Sequence, residues 1–479
     1  MLSLELLFIP LLAAILLLFA NEKAAKPLAL VFGLVEAVFT VYAYQVFQQN
    51  GSEAFEFQMP WVNKPQINIH FGLDGISLLM VILTNLLVPF IVLSGFNRDT
   101  KRPAVFYALI SFMHFALLGV FMALDGFIYY IFWELALIPI YFIAFNWGDE
   151  NSPKVTLKFF IYTLAGSLLM LFGFLYLYMG MPNHSLDWSV LSTQHTCSCN
   201  QTWLFWMFFA AFAIKIPIIP FHTWQPDTYK SAPTQGTMLL SGIMLKMGTY
   251  SLLRWLLPIF PAGMIEWQPI VITLSVTGIV YASIIAIMQR DLKKLFAYSS
   301  IAHVGLIAAG IFTLSVEGIQ GSLVQMLAHG INVVGLFFCA DIILNRKGTL
   351  QIHQLGGIRL QSPWFAAFFL IVVLGAVALP LTNGFVGEFM LLYSLFKYNV
   401  WLGAVAGTSV ILGAVYMLKM YQTAILGDTT EHSEPMEALQ WNEKVVLIGI
   451  ISLIFILGIF PGIVTNLTQP AIDQLIKLI

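Results

Sequence analysis

The sequence predicts an all-α polytopic membrane protein of about fourteen transmembrane helices, and three observations carry that prediction. Of 479 residues, 59% are hydrophobic and only 10% are charged, whereas soluble domains carry about 25% charged residues. The apolar residues fall in long runs, near the roughly 20 that a helix needs to cross hydrocarbon. Lysine and arginine collect in alternate connecting segments, as a fixed orientation in a bilayer demands. A net charge of −2 without any basic run gives no support to a nucleic-acid partner.

Taken in order, the first run (2–20) contains Glu5 and is followed by NEKAAKP, without a small-residue cleavage site. It reads as a span and not as a signal peptide. Spans at 27–48, 72–95, 104–124, 126–147 and 156–180 follow. The seventh, 203–224, contains "FAIKIPIIPFHTW", which sets Lys215 beside Pro217 and Pro220. Pro217 has no N–H for the carbonyl of Ala213, and Pro220 none for that of Ile216, so a break is expected here. Freed carbonyls at membrane depth need water or a side chain, and the same groups can solvate the ammonium. Spans at 233–257, 269–288, 293–313 and 318–344 come next. The twelfth, 363–396, is long for one straight crossing, and "LPLTNGFVGEF" places Pro380, Gly384 and Gly387 inside it. It reads as one broken helix, with the carbonyl of Ala376 freed by Pro380. Spans at 400–426 and 445–467 complete the series.

Two interrupted helices, one per half, each with an ionisable residue near its break, point to a transporter built from two inverted repeats. The expected organisation is N-terminal helices in 1–103, a first repeat in 104–257, a second in 258–426, and a C-terminal loop and helix in 427–479. Fifteen Lys and Arg residues lie in the segments after odd-numbered spans, against four on the other side: Lys64, Arg254, Lys397 and Lys477. The odd segments therefore face the cytoplasm and both termini face outward. Cys197 and Cys199 form a lone C-x-C with no second pair, too little for a zinc or iron–sulfur site. They read as loop thiols or a local disulfide, and no metal ligand set stands out.

A charge at the centre of a span costs roughly 2.5–3.5 kcal/mol on insertion scales. Glu134 in "YYIFWELALIPIYF", Lys215, Lys246 in "LLSGIMLKMGTYSLL" and Glu388 in "NGFVGEFMLL" all fall there. His303 and His329 add groups that titrate near neutrality. A structural ion pair could account for Glu134 and Lys215, a snorkelling lysine for Lys246, and a hydrogen-bonded core role for either histidine. A line of ionisable groups at membrane depth favours an ion or proton path instead. His114 has no obvious partner and reads as an ordinary core residue, and Lys419 reads as a lysine snorkelling toward the cytoplasmic face.

"LDGISLLMVILTNLL", "FWELALIPIYF", "FAIKIPIIPFHTWQPDTYKSAPTQGTMLLSGIMLKMGTY", "DLKKLFAYSSIAHVG" and "LPLTNGFVGEF" together resemble the antiporter-like subunits of proton-pumping NADH–quinone oxidoreductase, respiratory complex I, of the chain M (subunit 4) type. The resemblance runs from about residue 70 to residue 430 and is most specific from Ala213 to Tyr250. It implies that Glu134 and Lys215 form a charge pair, that Lys246 is the central lysine, that His303 and His329 lie on the polar route, and that Glu388 is the terminal proton carrier. The related chains L and N carry lysine at that last position. One subunit of the Mrp-type sodium/proton antiporters shares the glutamate and is the alternative. The resemblance also implies two related antiporter-like subunits as neighbours and a bacterial cytoplasmic membrane as location. FMN, iron–sulfur clusters and quinone are expected in other subunits and none in this chain.

Overall fold

The computed structural model describes residues 2–62, 67–181, 184–194, 197–428 and 436–478, with the side chains of Ser198 and Cys199 left out. Lys64 and the Cys199 side chain therefore lie outside the described residues, while Cys197 is exposed and Cys339 is a buried free thiol.

In chain order, α1 spans Leu2–Leu18, α2 Glu22–Asn50, β1 Phe57–Val62, β2 Ile67–Phe71, α3 Gly75–Ser94, α4 Pro103–Met122, α5 Gly126–Leu135, α6 Leu137–Trp147, α7 Ser152–Gly180 and the single turn α8 Trp188–Leu191. Then come α9 Ser198–Lys215, α10 Gln225–Ser231, α11 Thr234–Leu239, α12 Leu245–Ser251, α13 Leu257–Ile259, α14 Pro261–Met288 and α15 Leu292–Phe312. The series ends with α16 Val316–Lys347, α17 Ile358–Gln361, α18 Pro363–Ala376, α19 Asn383–Tyr398, α20 Val400–Tyr421, α21 Trp441–Ile459 and α22 Gly462–Ile476.

Among the described residues, ten helices are long and apolar enough to cross a membrane, fewer than the fourteen read from the sequence. The other four expected spans differ for identifiable reasons. The first, α1, has 17 residues. The seventh stops at Lys215, where the prolines remove two helix bonds. The eighth is interrupted by π-helical turns at Leu240–Met244 and Leu252–Leu256. The twelfth stops at Ala376 and restarts at Asn383. One further interruption went unpredicted. Ala136 separates α5 from α6, and Pro139 explains it, since it has no N–H for the carbonyl of Leu135.

The spans are helical as expected, but the sequence reading missed a small antiparallel hairpin. β1 pairs with β2 in the register Phe57↔Phe71 and Gln58↔His70, with an irregularity between Pro60 and Val62.

The chain divides into two compact units. Unit one comprises Met1–Lys215, Ile243–Pro269 and Leu467–Ile479; unit two comprises Ile216–Gly242 and Ile270–Asn466. In unit one α1 packs on α4, α2 on α3, and α7 on α9. Unit two is built around α16, which touches α15, α18, α19 and α21. Its apolar window is 94% buried, as expected of a helix that is apolar all round.

Helix starts follow ordinary capping chemistry. The side chains of Asp74, Asp125, Asp291 and Ser315 accept bonds from the first backbone N–H groups of α3, α5, α15 and α16. Pro stands in the first turn of α4, α7 and α18, where its missing donor costs nothing. Arg346 closes a bidentate pair with Glu443, at 2.9 and 2.6 Å, tying the end of α16 to α21.

The hairpin is clasped by His70, whose Nδ1 lies 2.6 Å from Asp187 Oδ2 and whose Nε2 lies 3.5 Å from Glu56 Oε1. Asp187 Oδ1 also accepts from the Ser189 amide at 2.9 Å and hydroxyl at 2.6 Å. Burial alone would lower the His70 pKa, but the Asp187 hydrogen bond and charge, with Glu56, outweigh it and hold it raised. Burial would raise Asp187, but His70 and Ser189 outweigh it and hold it lowered. The stabilisation from His70 is full below its unfolded pKa of about 6.5 and fades as pH rises through the higher folded value. That from Asp187 is full above about 3.9 and fades as pH falls through the lower folded value. Asp187→Asn should therefore destabilise the protein by about 1–3 kcal/mol near pH 5, and by less at both alkaline and strongly acid pH. Thermal unfolding in detergent across pH checks this.

Candidate functional site

Each unit holds its own cluster of buried titratable groups. In unit one, Lys215 is the last residue of α9 and is 2% exposed. Its Nζ sits 5.2 Å from the centroid of the Trp133 ring, a cation–π contact that partly replaces lost water. Among the described residues that Nζ has no hydrogen-bond partner. The carboxylate of Glu134, next along α5 from Trp133, acts on it electrostatically. Glu134 is half-buried beside the α5–α6 interruption and hydrogen-bonds Tyr130, which also engages Ser167.

Lys246, also 2% exposed, lies in α12 between the two π-helical turns. Such turns widen a helix and recur at functional positions. Beyond it, the Ser251 hydroxyl bonds that of Tyr129, and Arg254 pairs with Asp74 at 2.5 Å. Arg254 also reaches the hydroxyls of Tyr250 at 3.2 Å and Ser77 at 2.9 Å, and packs over Trp188. The sequence reading counted Arg254 only for the side of the membrane it marks, and did not foresee that it is 7% exposed, held inside by that ion pair.

Unit one also carries a buried carboxylate that the sequence reading passed over. Glu36 of α2 is 1% exposed and accepts from Asn85 Nδ2 at 3.2 Å. The same Nδ2 donates to Thr40 Oγ1 at 2.7 Å, and Asn85 Oδ1 meets His114 Nε2 at 2.5 Å. His114 is therefore the end of a Glu–Asn–His network. The partner lies 29 residues away in sequence, so no local pattern exposes it.

In unit two, His303 of α15 and Glu388 of α19 meet at 2.9 Å, Nδ1 to Oε1. Gln325 Nε2 approaches the same oxygen at 3.3 Å, and the His303 and His329 ring centroids are 5.9 Å apart. Asn332 Nδ2 donates to the carbonyl of Gly375 at 2.9 Å, so a side chain of α16 joins the Ala378 amide on a backbone acceptor where α18 ends. A cavity of about 20 Å³ is lined by Ser299, Ser300, His303, Gln325, His329 and Asn332, among others. Among the described residues, Ser300 Oγ, Gln325 Oε1 and Asn332 Oδ1 are buried there without protein partners. That volume and those polar atoms suit a water molecule. Lys419 is exposed and lines a separate cavity of about 300 Å³.

The predicted residues thus divide between the units, with Glu134, Lys215 and Lys246 in unit one and His303, His329 and Glu388 in unit two. The family model described as "NADH:quinone oxidoreductase/Mrp antiporter, TM" matches residues 123–413. NADH-quinone oxidoreductase subunit M of Rickettsia conorii is 37% identical over 98% of this chain and 97% of its own length. The chain belongs to the subunit M (chain 4) family of respiratory complex I. Its backbone is similar to a chain of respiratory complex I from Thermus thermophilus with bound NADH, at 29% identity and TM-score 0.92, covering 100% of this chain and 99% of that one. A chain of the Mrp complex from Dietzia shares the fold at 18% identity and TM-score 0.88, covering 99% and 98%. The complex I family is therefore the nearer one in sequence.

Contact between α16 and α19 depends on Gly387. A Cβ there would stand 2.5 Å from Gln325 Oε1 and 2.9 Å from Gln325 Cα, and the second clash is with backbone that cannot swing aside. Gly387→Ala should cost about 1–3 kcal/mol and separate Glu388 from His303. A lowered unfolding temperature, with a shifted Glu388 carboxyl band in infrared difference spectra, would check both effects.

Proposed function

We propose that this chain conducts protons across the membrane within NADH–quinone oxidoreductase, in contact with the other subunits of that complex. The observation that carries this reading is the 2.9 Å approach of His303 to Glu388 inside unit two. Its counterpart in unit one is a pair of lysines, Lys215 and Lys246, each enclosed to 2% exposure. Packing alone does not require such groups, and each is costly to bury in an apolar interior.

In this reading Glu134, while ionised, favours the protonated form of Lys215 by opposite charge. Neutralising or withdrawing the carboxylate removes that support, and desolvation then drives the proton off. Lys246, His303, His329 and Glu388 are the later stations. Moving one charge against about 100 mV takes roughly 2.3 kcal/mol, supplied by electron transfer in other subunits, which hold the FMN, iron–sulfur clusters and quinone. The interrupted helices support fourteen crossings arranged as two inverted repeats, with the Lys- and Arg-rich side toward the cytoplasm and related antiporter-like subunits as neighbours. The Mrp-type likeness is one of fold, whereas identity to subunit M runs the length of the chain.

Lys215→Ala or Glu134→Gln should lower the proton-to-electron ratio of the reconstituted complex at least severalfold, with the chain still assembled. A wild-type ratio in assembled Lys215→Ala complex would refute the relay. Sodium-driven uptake without NADH would favour the antiporter alternative.

A further inference from the structure

The larger cavity of unit two lies at its Lys- and Arg-rich end. It is lined by Arg290 just past α14, by His353, by Tyr416 and Lys419 toward the end of α20, and by Thr423 just past it. Arg290 and His353 are exposed, and the ends are held together by backbone bonds from Leu292 to Leu350 and from Ile352 to Arg290. Among the described residues, Tyr416 is the one hydroxyl-bearing aromatic on its wall, 2% exposed. Its Oη lies 3.0 Å from Ser299 Oγ. Ser299 lines the other cavity, the small one that holds His303 and His329. One hydrogen bond therefore joins the two cavities, and Ser299 stands one helical turn from His303 on α15.

We propose that Tyr416 and Ser299 form a two-hydroxyl proton gate, through which the His303–Glu388 cluster is loaded directly from the Lys- and Arg-rich side of the membrane. This rests on the proton-conducting reading and adds to it a second access route, independent of Lys215. The step is a hop with balanced atoms. A proton from water in the large cavity bonds to Tyr416 Oη as the original phenolic proton passes to Ser299 Oγ. The original serine proton then leaves toward water beside Ser300 and His303. Both side chains end with their starting composition, and the hydrogen bond between them reverses, so it must turn before the next transfer. Lys419 and Arg290 at the mouth repel a hydrated cation, while neutral hydroxyls pass only a proton.

The test uses the whole complex in proteoliposomes. Tyr416→Phe keeps the ring and deletes only the hydroxyl; Ser299→Ala does the same on the other side, and Ser299→Thr restores a hydroxyl. The gate requires about tenfold slower NADH-driven proton uptake in Tyr416→Phe and Ser299→Ala, with a changed solvent deuterium isotope effect and rescue in Ser299→Thr. Wild-type pumping with an unchanged isotope effect in either deletion overturns it, as does equal loss in Ser299→Thr and Ser299→Ala. If Tyr416→Phe does not assemble, the serine pair decides alone. Lys215→Ala run in parallel separates the two ideas. A normal ratio there with a defective Tyr416→Phe removes the unit-one relay and keeps the gate, and the reverse pattern removes the gate. A Lys419→Cys variant must also label with an impermeant thiol reagent from the cytoplasmic face, and labelling from the opposite face alone refutes the assigned direction.

Discussion

A charge enclosed by apolar helices has to be solvated by protein or by trapped water, and that requirement shapes this molecule more than any single contact. Regular helix cannot meet it, because its backbone groups are already bonded to one another. The chain answers by interrupting helices where charges lie. Glu134 stands beside the α5–α6 joint, Lys215 ends α9, Lys246 lies between two π-helical turns, and Glu388 follows the gap from Ala376 to Asn383. The histidines differ. His303 and His329 sit in the unbroken helices α15 and α16, and His303 meets its partner Glu388, a side chain of another helix. Glu36 shows the other solution, in which side chains from a neighbouring helix do what freed backbone does elsewhere.

How much of this was legible in the sequence depended on range. A lysine flanked by two prolines inside an apolar run declares both the break and its occupant, and the six expected site residues rest on such local signals. The Glu36 network did not declare itself, because its members lie on three helices joined only by folding. The burial of Arg254 was hidden for the same reason: only the approach of Asp74, far away in sequence, encloses it. The hairpin escaped because its strands are five and six residues long and too mixed in polarity to alternate clearly. The α5–α6 joint was legible in principle, in Pro139, but a single proline in so apolar a run reads as a tolerated kink.

The outer faces carry the complementary information. Val31, Val38 and Val41 on α2, Ile161 and Phe172 on α7, and Trp401 and Ile411 on α20 are exposed and apolar. Lipid tails or neighbouring membrane subunits cover such faces without penalty. Inside, glycine-mediated contacts such as Gly387 on Gln325 bring α19 against α16 closely enough for His303 to reach Glu388. The titratable groups are therefore positioned by backbone proximity as much as by their own rotamers.

The two widened turns flanking Lys246 have a consequence for anyone who mutates this stretch systematically. Each adds about one residue to its turn, a phase slip of about 100°. A helical wheel drawn straight through either turn would put the residues beyond it on the wrong face of their helix. Scanning libraries and cross-linking pairs designed there have to be phased separately in three blocks.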